Sequence, residues 1–144
     1  MKRKYMFITE EDYKVVIGEA ALRVVSQTDV TNRQNAEAEA IEEISGYLRP
    51  KYDCAAIFGA EGENRNKQIV MYTCDIALYH MVSSNSARMG AETRKERYDQ
   101  AIKWLEKVQA GTVTPDLPLA EDEDGQQTGQ KLHWGSAKRL KNIW

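Results

Sequence analysis

Apolar residues recur at helical spacing along most of the chain. Thr9 stands before three acids, Glu10, Glu11 and Asp12. A threonine hydroxyl can cap free N–H groups, and acids in a first turn complement the helix dipole, so a helix starts here. It carries Tyr13, Val16 and Ile17 at spacings of three and four and meets Gly18. Residues 19–25 read as a second short helix through Ala20, Ala21, Leu22, Val24 and Val25. The Val15–Val16 and Val24–Val25 pairs leave short strands as the alternative. Residues 26–29 are turn-like.

Residues 32–49 predict a long helix, with Ala36, Ala40, Ile44, Tyr47 and Leu48 on one face and four glutamates on the rest. Pro50 ends it. Gly46 inside it either costs about 1 kcal/mol relative to alanine or marks a close backbone approach. Residues 50–66 read as a loop in two parts: an apolar patch at 54–58, then a polar, Gly-containing and mobile stretch at 59–66. A third long segment, 67–82, is apolar on nearly every side, as in a helix central to its domain or central once subunits assemble. The last predicted helix, 91–110, buries Tyr98, Ala101, Ile102, Leu105 and Val108 and stops at Gly111.

Beyond Gly111 the pattern fails. Pro115, Pro118, the acid run 121–124 and a Gly/Gln stretch give no packed element, and the last fourteen residues, KLHWGSAKRLKNIW, turn basic and regain large apolar groups. The expected architecture is all-α: a small bundle of about four helices over residues 1–111, then an extended linker and tail over 112–144. No internal repeat is visible.

Composition narrows the function classes. The chain has 144 residues, suited to one domain, and 20 Lys+Arg against 22 Asp+Glu for a net charge of −2. That balance argues against a broad basic surface devoted to nucleic-acid phosphates. No apolar run approaches the roughly 20 residues of a membrane span, and the start, MKRKYMFITEEDYK, lacks a signal-peptide apolar region. Cys54 and Cys74 form no CxxC and fit a reducing compartment.

Catalytic chemistry finds little footing. His80 and His133 are the two histidines. His80 lies six residues from Cys74, which is not the i,i+3 or i,i+4 spacing of a metal pair, so it reads as a core or interface histidine. Neither cysteine has a partner base nearby in sequence, and the glycines at 59 and 62 lack the Lys-Ser/Thr of a phosphate loop. The expectation is a protein that is not an enzyme and uses no cofactor or metal.

Three polar or apolar groupings remain. Asp75 sits inside the apolar helix, where an unpaired acid is costly; it either pairs structurally with Arg94 or Arg97 or supplies charge at a subunit contact. Arg88, Arg94, Lys95 and Arg97 are interleaved with Glu92, Glu96 and Asp99 and read as a solvated mixed face. In a symmetric assembly around DNA, Arg88 and Lys95 would make non-specific phosphate contacts. In the tail, Leu132, Trp134, Leu140, Ile143 and Trp144 crowd a segment too short to bury them. Tryptophan is enriched at interface hot spots, so these five are candidate partner-docking residues; folding back onto their own domain is the other reading. Lys138, Arg139 and Lys141 make too short a basic stretch for a membrane-surface segment, and no membrane partner is expected.

Three blocks, IGEAALRVVSQTD (17–29), AEAEAIEEISGYLRPKYD (36–53) and the span from CDIALYHM to RYDQAIKWLEKVQA (74–110), followed by GTVTPDLP, resemble a small protein family common in Mu-like prophages. That family is grouped with the helical head–tail connector proteins of tailed phages. The resemblance covers about residues 5–118; loop 54–66 replaces its usual short Leu-Pro-containing connection, and the extension past Pro118 has no counterpart in it. It implies a connector or adaptor subunit in the virion neck, assembled in the host cytoplasm. It further implies a homo-oligomeric ring, typically of twelve copies, beneath the portal protein, extending the DNA channel and docking the next neck or tail component. By that analogy double-stranded DNA passes without sequence reading, and the tail is a docking arm. Two other classes stay open: a small helical DNA-binding or regulatory protein, and an assembly factor absent from the mature particle.

Overall fold

The computed structural model describes residues 7–26, 30–83 and 91–121. Among them the chain forms six α-helices: α1 (Glu10–Ile17), α2 (Glu19–Ser26), α3 (Val30–Leu48), α4 (Cys54–Gly59), α5 (Lys67–Ser83) and α6 (Ala91–Ala110). A single 3-10 turn covers Gly62–Asn64. The fold is an all-α bundle, and no described helix is long and apolar enough to cross a membrane.

Local chemistry sets the first two helices. The Thr9 hydroxyl accepts from the Asp12 N–H, and the Asp12 carboxylate accepts from the Thr9 N–H at 2.7 Å, a reciprocal capping box. Gly18 takes φ 82°, a left-handed conformation open to glycine, and its N–H closes α1 on Lys14 O at 3.1 Å. Both valine pairs therefore lie in helices, not strands.

The all-round apolar segment is α5, and it packs on α1, α2, α3 and α6. Ile69, Cys74, Ile76, Ala77, Leu78 and Met81 are fully buried. Facing them are Ala36, Ala40, Ile44 and Leu48 of α3 and Ala101, Leu105 and Val108 of α6. Tyr13, also fully buried, donates its hydroxyl to Glu37 at 3.0 Å and so ties α1 to α3. Trp104, absent from the expected stripe of α6, is buried and lies with its ring 4.9 Å from Tyr72.

Residues 50–66 correct the loop expectation. Asp53 caps α4 by accepting from the Ala56 N–H at 3.2 Å, and the helix buries Ile57 and Phe58. Phe58 meets Phe7 edge-on with ring centroids 5.0 Å apart. The polar half is pinned by Arg65, which donates to Gly62 O at 2.9 Å and Phe7 O at 2.7 Å. A six-residue helix shows too little of a period to be read as one.

The edge of the bundle also moves. After Gly111 the chain turns back, Leu117 is buried, and Leu119 pairs with Tyr52 in an isolated antiparallel bridge. The Asp53 N–H donates to Pro118 O at 2.9 Å and the Ala120 N–H to Lys51 O at 3.0 Å. Two leucines among fixed-φ prolines make a strap without helical periodicity, so packing continues about nine residues past the expected boundary at Gly111.

Candidate interaction site

Asp75 is the one acid in the α5 core. Its side chain is 3% exposed and accepts from Arg97 Nε at 2.6 Å and Nη2 at 3.2 Å. Of the two expected partners, Arg97 makes the bond. Arg94, one turn earlier on α6, is buried, its Nη1 has no hydrogen-bond partner among the described residues, and it serves as a second cation facing the same carboxylate. Burial raises the Asp75 carboxyl above its ordinary value, and the Arg97 hydrogen bond and charge pull it part of the way back. Burial likewise lowers the Arg94 guanidinium, against the opposing pull of Asp75.

Arg97 keeps about a third of its side chain in water, at 34% exposure, and borders a groove of about 300 Å³ between α1 and α5. The groove's apolar lining is Val15, Val16, Val70 and Met71, with Asp12, Lys67 and Arg97 around it. Val15 is 88% exposed and Met71 38% exposed. A scattered exposed valine is ordinary; an apolar cluster rimmed by charge is the form of a contact surface. Sequence reasoning missed this face. Val15 lies off the Tyr13–Val16–Ile17 stripe, and a β-branched residue on the wet side of a short helix was the available signal.

A second polar cluster joins three helices. The Tyr98 hydroxyl of α6 donates to Glu43 of α3, and His80 Nε2 of α5 lies 3.1 Å from the other Glu43 oxygen. Glu39 stands 3.7 Å from His80 Nδ1, and Tyr79 stacks on Tyr98 at 4.2 Å. Burial, then the hydrogen bond to Glu43, pushes the Tyr98 phenol up. Both oxygens of Glu43 are engaged, so this carboxylate works as a tie between helices.

Of the remaining expected site residues, Lys95 lies on the outer face of α6 and pairs with Asp99 at 3.0 Å. Arg88 and the tail residues Leu132, Trp134, Leu140, Ile143 and Trp144 fall outside the described residues. Cys54 and Cys74 are free thiols, the latter buried, and burial pushes it up. Among the described residues no group of three or more His, Cys, Asp or Glu is placed to hold a metal ion.

The fold and these surfaces define a small all-α domain in which the Asp75–Arg97 pair and the Glu43 cluster fasten helix to helix and which leaves an apolar face in water. The family model described as Bacteriophage Mu, Gp36 matches residues 7–133, and the chain belongs to that family of phage proteins. Comparison with curated proteins and with solved structures gives no match. The matched span corrects the expectation that nothing past Pro118 has a counterpart: the acid run and Leu132 fall within it, and residues 134–144 lie beyond. The polar stretch from 120 to 131 carries no hydrophobic period by which to recognise it.

Proposed function

We propose that this chain is a structural subunit of the phage neck: a head–tail connector or adaptor that forms a ring under the portal protein, extends the DNA channel and docks the next neck or tail component. Membership of a phage protein family over residues 7–133 carries the reading. The exposed Val15–Met71 face supports it, because a ring subunit must cover an apolar surface with its neighbour. The role is structural, without catalysis or cofactor, and twelve copies is the number the connector resemblance implies. Charge supports passage of DNA without capture: Arg97 is spent on Asp75, Lys95 on Asp99, and Arg94 is buried.

The test is assembly on the cognate portal. Mixing purified subunit with portal and reading the complex by native mass spectrometry should give one closed ring per portal. Val15→Asp should abolish ring closure while leaving the helical signal intact, since that side chain is in water. A subunit that ignores the portal and instead binds duplex DNA tightly would overturn the reading.

A further inference from the structure

A larger groove lies on the other side of the bundle, between the start of the described chain, α3 and α4. Its volume is about 550 Å³, within the ~300–1,000 Å³ range of pockets that take ligand-sized apolar groups. Phe7, Ile8, Ala38, Ile41 and Phe58 supply the apolar lining; on its wall Glu37 accepts from Tyr13 and Glu42 pairs with Arg49. Cys54 and Ala55 line it too, and the same two residues line the depression bordered by Leu119, Ala120 and Glu121. The strap therefore delivers the chain to the rim of the groove at Glu121. The 23 residues that follow end in a segment whose apolar groups match that lining: Leu132, Trp134, Leu140, Ile143 and Trp144.

We infer that, in the free subunit, the C-terminal segment 132–144 seats in this groove of its own chain. Reach is ample, since the eleven residues from Glu121 to Leu132 span up to about 36 Å when extended. Short tethers also give an effective concentration in the millimolar range, which favours the subunit's own tail over a neighbour's. The groove takes the tail's apolar groups out of water. This inference stands apart from the neck reading: it concerns the unassembled chain and needs no portal.

Cys54 is the reporter. With full-length protein, Cys54 labelling by a maleimide, read by peptide mass mapping, should be at least about tenfold slower than in the Leu140→Asp/Ile143→Asp/Trp144→Asp variant. The slow rate should be the same in dilute and concentrated solution. In a Ser136→Cys variant, adding an oxidant should then join Cys54 to the thiol introduced at position 136 by a disulfide within a single chain. Equal labelling rates with and without the tail substitutions, or cross-links only between chains, would overturn the inference.

Discussion

The Arg65 guanidinium holds both carboxylate oxygens of Asp12, at 2.6 and 3.2 Å, while the same group donates to the Phe7 carbonyl. One side chain thereby joins the segment before α1, the cap of α1 and the turn before α5. Both partners are mostly out of water, at 15% and 16% exposure, so the pair is worth more than a surface ion pair.

Removing it should be costly in a pH-dependent way. Burial raises the Asp12 carboxyl, but the hydrogen bonds from Arg65 and Thr9 outweigh it and hold the group below its ordinary 3.8. The stabilisation is therefore present above that value and is lost as pH falls through the lowered one. Arg65→Met should cost roughly 1–3 kcal/mol at neutral pH in urea denaturation. The deficit should shrink as pH falls below about 4, where Asp12 of the unfolded chain takes up its proton first, and vanish only below the lowered folded value.

Asp75 runs the other way. Its carboxyl is raised, so the folded state favours the proton and ionisation weakens the fold as pH climbs from 3.8 through the raised value. Arg97 limits that loss. Arg97→Met should destabilise by about 2 kcal/mol at neutral pH, less than the ~3–5 kcal/mol of a fully buried broken pair because a third of Arg97 is already in water. Near pH 4 the same substitution should cost less. Parallel chemical denaturation at the two pH values checks both the size and the sign.

Gly46 lies exposed in α3, and a Cβ there would meet nothing within 4 Å. The close-approach reading is excluded, leaving only the helix cost. Gly46→Ala should stabilise the protein by about 0.5–1 kcal/mol, measured as a rise in the denaturation midpoint at unchanged slope.

How much of this was legible varied with length and range. Thr9, Gly18 and Gly111 marked helix ends because capping and left-handed turns are local chemistry. The 3.6-residue stripes of α3 and α6 and the unbroken apolarity of α5 announced their packing. Asp75 drew attention because an acid in that setting needs a partner, and both candidate arginines do face it. By contrast, α4 spans under two turns, and the Asp12–Arg65 bond joins residues 53 apart, which no period or spacing encodes. The Glu43–His80–Tyr98 tie and the exposed Val15 were hidden for the same reason: each depends on which helix faces meet. The strap escaped notice because Leu117 and Leu119 pack through extended backbone among prolines.

That strap makes truncation informative. A chain ending at Gly111 loses Leu117, the Tyr52–Leu119 bridge and the bonds to Lys51 and Asp53. It should be less stable than a chain ending at Glu121 by roughly 2–4 kcal/mol, the scale of burying one to two leucines. Thermal melting of the two truncations side by side checks this. On the proposed neck role, removal of residues 122–144 in phage should leave a folded domain but heads that do not join tails.

The central claim is position in the particle, and cryo-electron microscopy of the neck in purified virions tests it most directly. The expected result is a ring of density between portal and tail into which the six described helices fit, with the Val15–Met71 face covered by the adjacent copy. A complete neck with no density for this bundle, and no peptide of the chain in the same virions, would contradict it.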